Sequence, residues 1–444
     1  MGVAPPPPVP GGVLERVRSD IRSERAVRGQ YPPGELGFSM SRTREFEREP
    51  LPLLLRLYEE YGPVFSMRLM YLPVVFAIGP EANHFITVSG ASNFRWRDGG
   101  MGDLIPLLGD GLLTTDGDYH RRARRIMLPA FHRDQIAAAQ DVMSEEAELA
   151  LETWRPGRCV DLYAWTRKLA LRVAMRALFG FDARRSPEMA HKFERALGYW
   201  GRAYAAQMLR GPGSPYRSMV RARAWLDAVI FGEIRRRAES GERSSDLLSL
   251  LMDAHDEDGS TLSEQELRDQ VMTLLFAGHD TTTSTVTFLF YELARNPGDH
   301  DLDLAIDETL RMYPAAWIGP RRSVEPFELH GVRVPGGVLV NYSSWVSHHL
   351  AEVFPEPFEF RPERFLPDAR AALPKGAYVP FGGGSRTCIG MRFGLLEVRT
   401  IAAAILARYR LELAEPERKL SIRQMPTISP RGGLPVIVTP SSAR

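Results

Sequence analysis

The spacing of apolar residues predicts that most of this chain is helical. Apolar side chains recur every three or four residues, which is the period of a helix with one buried face. This pattern predicts helices over residues 13–28, 51–61, 81–88, 135–154, 160–179, 187–207, 216–241, 246–254 and 390–409, and a basic helix that opens at Asp116. Runs rich in Val and Phe predict strands over residues 63–70, 72–78, 327–329 and 332–334. The expected fold class is mainly α with a smaller β region.

The longest predicted helix runs from Ser263 to about Ala294. Ser263-x-x-Glu266 is a capping box, which favours a helix start at this point. About 32 residues of helix span roughly 48 Å, enough to cross a whole domain. In its middle, the segment 277–283 (Ala-Gly-His-Asp-Thr-Thr-Thr) is poor helix material and interrupts an apolar face. Two interpretations of this segment remain. It is either a kinked part of a core helix, with threonines that bond to their own backbone, or a polar functional site.

Composition and charge exclude several classes of protein. With 444 residues, 44% hydrophobic and 25% charged, the chain can bury a large core. Its net charge of +1 gives no overall field for nucleic acid. Two cysteines, Cys159 and Cys388, are too few for a disulfide framework or a four-cysteine zinc site and fit a reducing compartment. No apolar run is long enough for a transmembrane helix, and the proline-rich residues 1–12 are expected to be a flexible lead-in, neither signal peptide nor anchor.

Cys388 lies between a glycine-rich loop and a predicted helix, which gives it a special position. The N-terminus of a helix favours a thiolate, and consecutive glycines let the backbone approach a large flat ligand. Arg386 can offer two parallel donors to a carboxylate such as a haem propionate. A lone buried cysteine is more often inert. A phosphate loop is the other alternative, but no Gly-Lys-Ser/Thr follows the glycines.

The ten residues that end at Gly390 carry a resemblance to a known family. The pattern Phe-x-x-Gly-x-Arg-x-Cys-x-Gly, with Phe381, Gly384, Arg386, Cys388 and Gly390, resembles the haem-binding signature of the cytochrome P-450 family, and the chain is similar to its soluble bacterial members. The resemblance implies a lead-in over residues 1–44 and one haem-thiolate domain over residues 45–444. It implies haem b between the long central helix and the helix after the cysteine loop, with Cys388 as the iron ligand. Phe381, Arg386 and Gly390 then belong to the cofactor site.

The basic helix after Asp116 also matches this family. His120 and Arg124, at i and i+4 on the basic helix, match a Trp/His-x-x-x-Arg element that binds haem propionates, and the resemblance gives Arg321 the same role. A solvated basic face, or a patch for an acidic partner, is the alternative for this helix.

The segment 277–283 matches the part of the family that lies over the distal side of the haem. The match implies that Gly278 leaves room for dioxygen and that Asp280 and Thr281 form the acid–alcohol pair that supplies protons for O–O cleavage. His279 fills a variable position and receives no role.

Glu308, Arg311 and Arg364 match a Glu-x-x-Arg and a Pro-Glu-Arg-Phe element. By resemblance they form a buried structural triad that holds the cysteine loop; otherwise Glu308 and Arg311 are a surface pair worth a few tenths of a kcal/mol. One departure is plain, because Pro297 and Glu308 are only eleven positions apart, where the family has at least one more helix. Either this chain has lost that helix or the given sequence omits residues there.

The resemblance implies a monooxygenase that inserts one oxygen atom from O2 into a lipophilic small molecule. Hydroxylation or epoxidation of a terpenoid, steroid, carotenoid or fatty acyl compound is expected, in the cytoplasm, without nucleic acid or a transmembrane anchor. Electrons are expected from a ferredoxin or flavodoxin with its reductase. The expected substrate pocket is apolar: Leu104, Leu108, Phe276, Ala277, Ala316, Trp317, Ile318 and Ile428. The expected donor-docking face is basic: Arg121, Arg122, Arg125, Lys375 and Arg392.

Three alternatives stay open at this point. A peroxygenase or an oxygen-independent thiolate-haem isomerase usually dispenses with the acid–alcohol pair, so Asp280 and Thr281 weigh against both. A haem sensor would need neither a proton relay nor a substrate lid.

Overall fold

Helices make up most of the described chain. The structure, a computed structural model, describes residues 13–182, 187–201, 207, 209 and 211–441. The helices are α1 (Val13–Ala26), α2 (Met40–Arg48), α3 (Pro50–Tyr61), α4 (Pro80–His84), α5 (Ile105–Leu108), α6 (Gly117–Met127), α7 (Arg133–Leu151), α8 (Leu162–Val173), α9 (Pro187–Leu197), α10 (Pro215–Ser240), α11 (Leu247–Asp253), α12 (Glu264–Arg295), α13 (Leu302–Met312), α14 (Ser344–Ser347), α15 (Pro367–Ala372) and α16 (Met391–Arg408). Short 3-10 or π turns cover Phe85–Ser89, Ala91–Asn93, Arg97–Gly99, Met101–Leu104, Leu128–Phe131, Ala174–Leu178, Pro362–Phe365 and Gly384–Arg386. The predicted fold class, mainly α with a smaller β region, is confirmed.

The strands form a six-stranded sheet and three smaller sheets. The strands are β1 (Gly34–Glu35), β2 (Val64–Leu69), β3 (Leu72–Ala77), β4 (Phe94–Arg95), β5 (Cys159–Asp161), β6 (Gly319–Ser323), β7 (Phe327–Leu329), β8 (Val332–Val334), β9 (Leu339–Tyr342), β10 (Tyr409–Leu413), β11 (Ile422–Arg423), β12 (Ser429–Pro430) and β13 (Pro435–Pro440). The large sheet has the order β1-β2-β3-β9-β6-β4, and β10-β13-β5 form a three-stranded sheet. The predicted hairpin is antiparallel, with Val64 opposite Ala77, and β9 runs parallel to β3.

The sheet begins within the residues expected to be a lead-in. Strand β1 pairs in parallel with β2, with Gly34 opposite Ser66. Arg42 of α2 forms an ion pair with Glu35 at 2.8 Å, which ties α2 to this edge. The ordered sheet therefore starts before residue 45.

Two predicted helices differ from the structure. The helix predicted over residues 187–207 ends at Leu197, because the N–H groups of Tyr199 and Trp200 turn back to the carbonyls of Ala196 and Leu197. That prediction is wrong over residues 198–201, and most of its remainder lies outside the described residues. The helix predicted over residues 160–179 begins only after Asp161, which ends strand β5 and whose carboxylate caps α8 at the N–H of Ala164.

Helix α12 is the axis around which the other helices pack. The hydroxyl of Ser263 accepts from the N–H of Glu266 at 3.2 Å, and the Glu266 carboxylate accepts from the N–H of Ser263 at 2.8 Å, so the predicted capping box forms. Its apolar side chains pack with those of α8, α10 and α16 in one core cluster. Its threonines bond backward to the helix, as from Thr283 to the carbonyl of His279 at 2.8 Å. None of the helices in the described ranges is both long enough and apolar enough to cross a bilayer.

The connection between α12 and α13 is short. The N–H of Asn296 bonds to the carbonyl of Glu292 at 2.8 Å and ends α12. Asp301 then caps α13 by accepting from the N–H groups of Asp303 and Leu304. The chain enters α13 directly, with no further helix in this interval.

Candidate active site

The loop before α16 presents the Cys388 thiol to an accessible space inside the protein. The N–H of Cys388 bonds to the carbonyl of Phe381 at 3.0 Å and closes the loop. Gly384 has a φ of 59°, and a Cβ there would collide with the Thr87 carbonyl, so this position requires glycine. The Cys388 side chain is exposed, yet burial by surrounding protein raises its pKa, opposed by the N–H of Gly390 and by Arg124. The N–H of Gly390, at the start of α16, lowers the pKa of the thiol as expected for a helix N-terminus, but burial raises this pKa by more.

A buried ion-pair group supports this loop. Arg311 donates to both oxygens of Glu308, at 2.8 and 2.9 Å, and both side chains have no exposed surface. Arg364 donates to Glu308 at 3.3 Å. The structure therefore brings together the three residues of the expected triad.

His348 connects the triad to the cysteine loop and was not anticipated from the sequence. Arg311 donates to the carbonyl of His348 at 2.8 Å, and the N–H of Val379 donates to Nε2 of His348 at 3.0 Å. Burial and the charge of Arg311 lower the pKa of His348 to about 3, so the ring is neutral and Nε2 accepts. Val379 lies two residues before Phe381, and this bridge fixes the start of the loop.

Basic side chains from three parts of the chain converge near the loop. The Arg321 guanidinium is buried and stacks on the Trp96 ring at 3.6 Å, and Arg386 lies 5.1 Å from the same ring. Burial and the neighbouring Arg386 and Arg124 lower the pKa of His120 to about 3. Burial also lowers the pKa of Arg124, Arg321 and Arg386, the last to about 10.

This cluster has more positive than negative charge. Arg386 bonds to Asp116 at 2.8 Å, to the Thr115 carbonyl at 2.6 Å and to the Leu112 carbonyl at 3.2 Å. Both of its terminal nitrogens are therefore already used within the protein, contrary to the expectation that they were free for a carboxylate. Arg124 and Arg321 have no carboxylate hydrogen-bonded to them among the described residues. Two anionic groups, such as the two propionates of a haem, fit a site with this charge.

The middle of α12 opens toward an accessible space. From Leu267 to Phe290 every residue is buried except four adjoining ones, Phe276, Ala277, Gly278 and Thr281. A Cβ atom built on Gly278 would have no heavy atom beyond its own stretch of helix within 4 Å. The space beside Gly278 is therefore open. The Thr281 hydroxyl donates to the Ala277 carbonyl at 2.5 Å. These residues form a small, mostly apolar wall with one hydroxyl.

Asp280 faces away from Thr281, toward side chains of two other helices. Nη1 of Arg167, on α8, lies 2.9 Å from Oδ1 of Asp280, and Nδ1 of His279 lies 3.4 Å from the same oxygen. Arg167 also binds Glu194 of α9 at 2.8 Å, and Nε2 of His279 lies 3.3 Å from Glu194. Burial opposes ionisation of Glu194, but His279 and Arg167 outweigh it and lower its pKa to about 2. Asp280 and Thr281 are thus neighbours without a direct hydrogen bond between their side chains.

No motif in the sequence points to Arg167 or Glu194. Arg167 meets Asp280 because α8 packs against α12, and Glu194 joins this group through Arg167 and His279. His279, which received no role, bridges the two carboxylates.

Several residues expected to line the pocket belong instead to the core. Leu108 and Ile428 have no exposed surface, and Trp317 is buried with its indole N–H bonded to the Gln424 carbonyl at 3.2 Å. The prediction is wrong for these three, because their side chains pack into apolar clusters of the fold. Leu104 is also buried and belongs to the same core cluster as Leu108. The members that retain accessible surface are Phe276, Ala277, Ala316 and Ile318.

Part of the expected donor-docking face is also engaged elsewhere. Arg122 forms an ion pair with Glu266 at 2.7 Å and is largely buried, and Arg125 pairs with Asp256 at 2.7 Å. Arg122 therefore joins α6 to the start of α12 and is not available to a partner.

Comparison with known proteins adds an independent finding. The Cytochrome P450 family model matches residues 32–299 and 302–434, and the two segments meet at the short connection before α13. The chain is 34% identical over 435 residues to cyclooctat-9-en-7-ol 5-monooxygenase of Streptomyces melanosporofaciens, covering 90% of this chain and 93% of that protein. It is also 34% identical over 423 residues to cyclooctatin synthase of the same organism, covering 87% and 90%. Among solved structures, the retinoic acid-bound cyanobacterial CYP120A1 superposes with a TM-score of 0.81 at 27% identity, over 92% of this chain and 99% of that one.

The family match spans most of the chain, and relatives above 30% identity align over nearly its whole length. This chain therefore belongs to the cytochrome P450 family of monooxygenases.

Proposed function

We propose that this enzyme hydroxylates or epoxidises a lipophilic molecule of the terpenoid type, with haem b as its cofactor and O2 as co-substrate. The observation that carries the proposal is the opening in α12, where Phe276, Ala277, Gly278 and Thr281 alone keep accessible surface within a buried stretch. An apolar wall with one hydroxyl suits an apolar substrate beside a proton-handling group. The names of the relatives agree, since one oxygenates cyclooctat-9-en-7-ol and another holds retinoic acid.

The haem would be held by residues of both ends of the chain. Cys388 would ligate the iron through its thiolate, and Phe381 and Gly390 would flank it in the loop. His120, Arg124 and Arg321 would bind the propionates, with Arg386 completing the positive field while bonded to Asp116. A thiolate-ligated haem supplies electron density that favours O–O cleavage.

His279 lies between Asp280 and Glu194 in this proposal. Nε2 of His279 lies 3.1 Å from the Arg167 carbonyl, and its Nδ1 lies 3.4 Å from Oδ1 of Asp280, without a hydrogen bond between those two atoms. Arg167 approaches both Asp280 and Glu194, so this buried group contains two carboxyl groups beside one guanidinium.

Proton supply then follows a defined order of residues. Glu194 is about one-third exposed while His279 is fully buried, so solvent protons enter on the Glu194 side. Asp280 takes part in passing protons inward, and Thr281 delivers them at the open wall of α12. Arg167 holds Asp280 in place between deliveries.

Electrons are proposed to come from a small acidic carrier of the ferredoxin or flavodoxin type. The remaining candidates for its docking face have exposed side chains, unlike Arg122: Arg121, Arg125, Lys375 and Arg392. Placement in the cytoplasm agrees with the two unpaired cysteines.

The test begins with the ligand to iron. Cys388→Ser should abolish the red-shifted Soret band of the reduced carbon monoxide complex, whereas Cys159→Ser, at an exposed cysteine in β5, should keep it. Purified wild-type protein without haem after haem-replete expression would refute the proposal.

The substrate class needs a separate screen. Terpenoids should shift the haem spectrum on binding and yield products heavier by one oxygen atom when a ferredoxin and its reductase supply electrons. Turnover of fatty acids or steroids with no terpenoid oxidised would refute the terpenoid assignment while leaving the monooxygenase class intact.

A further inference from the structure

A second cavity lies between α9 and α10, outside the site described above. Its volume is about 340 Å³. It is lined by two residues of α9, four of α10 and two that precede α10: Lys192, Arg195, Gly213, Ser214, Arg217, Ser218, Arg221 and Ala222. The face of α9 that carries Phe193, Ala196 and Leu197 packs into the core, so the cavity uses a different face of this helix.

Four of the lining residues are positively charged. Lys192 and Arg195 are one turn apart on α9, and Arg217 and Arg221 are one turn apart on α10. Like charges at these spacings share a face and repel each other, which destabilises a helix by a few tenths of a kcal/mol per pair. The cations of the two helices meet at one cavity.

Three of the four cations at the cavity form no ion pair with a described residue. Lys192 has Glu188 at 3.4 Å, an exposed residue one turn earlier. Arg195, Arg217 and Arg221 are exposed and form no ion pair with any described carboxylate. This surface therefore carries an excess of positive charge that an anionic ligand could approach from solvent.

The other half of α10 shows that this pattern is local. There Arg235 pairs with Glu264 at 2.5 Å, Arg236 with Glu233 at 2.8 Å and Arg237 with Asp246 at 2.7 Å. The same helix therefore neutralises its arginines away from the cavity and leaves them unpaired at the cavity.

The cavity also offers uncharged donors. Ser214 caps α10 by accepting from the N–H of Arg217 at 3.3 Å, and this places the positive end of the helix dipole at the cavity. The Ser218 hydroxyl, one turn into the helix, makes no hydrogen bond with a described residue and lines the same space. The site therefore combines guanidinium forks, an ammonium group and a hydroxyl.

We infer that this cavity binds a phosphoryl group, as a phosphate monoester or diphosphate. Guanidinium forks match phosphate oxygens two at a time, and a phosphate ester carries roughly two negative charges, so it neutralises this cluster better than one carboxylate. The four cations lie around one pocket that opens to solvent between two helices, which suits a compact anionic group. The group comes from a phosphorylated small molecule or from a phospholipid head group.

The first experiment measures binding of inorganic pyrophosphate to the haem-loaded enzyme by calorimetry, in sodium chloride at constant ionic strength. The test variant is Arg217→Gln with Arg221→Gln. The control is Arg235→Gln with Arg236→Gln, which removes the same charge from the same helix outside the cavity. We expect the test variant to bind at least tenfold more weakly than wild type, and the control to bind within about twofold.

The second experiment distinguishes the two sources with vesicles of phosphatidylcholine, with and without phosphatidic acid. Sedimentation with the phosphatidic acid vesicles that is lost in the test variant assigns the site to lipid head groups. Pyrophosphate binding without sedimentation assigns it to a soluble phosphorylated molecule. Absence of pyrophosphate binding by wild type, or equal binding by the test and control variants, would overturn the inference whatever the enzyme oxidises.

Discussion

Glu397 on α16 should make the stability of this enzyme fall as pH rises. Its carboxyl is 1% exposed, and the Thr282 hydroxyl of α12 donates to it at 2.8 Å. Burial raises its pKa from 4.5 to about 8, and the bond from Thr282 opposes this shift. The group is therefore a neutral acid near pH 7.

The sign of the effect follows from proton counting. Between pH 4.5 and about 8 the folded state holds this proton and the unfolded state does not, so the free energy of unfolding decreases with pH. Each pH unit costs about 1.4 kcal/mol. Over the whole interval the loss from this one group reaches about 5 kcal/mol.

The perturbation is Glu397→Gln, which keeps the shape and the acceptor for Thr282 but cannot ionise. Urea unfolding of variant and wild type, followed by tryptophan fluorescence between pH 5 and 8.5, gives the difference in free energy of unfolding. As pH rises, the free energy of unfolding of the variant should increase relative to that of wild type by about 1.4 kcal/mol per pH unit, and the difference should become constant above about pH 8.

Glu412→Gln, at an exposed glutamate on β10, is the matched control. A pH-independent difference for Glu397→Gln would refute the conclusion that this carboxyl is protonated in the folded enzyme.

The remaining predictions concern the site and its support. Asp280→Asn and Thr281→Ala should retain substrate binding but lose about 10²–10⁴-fold in product formation, with electrons diverted to hydrogen peroxide or water; unchanged product per electron would leave this cluster with a structural role only. Glu308→Gln should lower the free energy of unfolding by about 3–5 kcal/mol because Arg311 stays buried without its carboxylate, whereas Glu363→Gln, at an exposed pair, should change it by less than about 1 kcal/mol.

Local signals in the sequence were sufficient for the main helices and for the first hairpin. The capping box at Ser263 and Glu266 involves residues three positions apart, so a linear pattern records it completely. The same holds for the register of β2 and β3, which are separated by a two-residue turn. Gly383 and Gly384 of the cysteine loop are different, because they are required by the close approach of Thr87, a residue far away in the sequence.

The polar contacts of the site depend on partners far away in the chain, so the sequence could not specify them. Thr282 and Glu397 are 115 positions apart. Arg122 occupies a helix position typical of solvent, yet it pairs with Glu266, 144 positions later. Trp317 and Ile428 are apolar, as a pocket wall requires, but apolarity alone does not separate a pocket wall from a packed core. Charge and hydropathy identify the residues that could line a pocket or a docking face. Only the packing of the helices decides which of these residues do so.

The bond between Thr282 and Glu397 also joins the two segments that carry the chemistry. Thr282 follows Thr281 on α12, and α16 begins three residues after Cys388. Apolar packing alone allows small slides between helices, whereas a directional hydrogen bond at 2.8 Å fixes their register. A neutral acid makes this bond at little electrostatic cost, and its ionisation near pH 8 would add an unpaired buried charge between the helices. The loss of stability and any change in the placement of Thr281 relative to Cys388 should therefore follow the same titration, and both should be absent in Glu397→Gln.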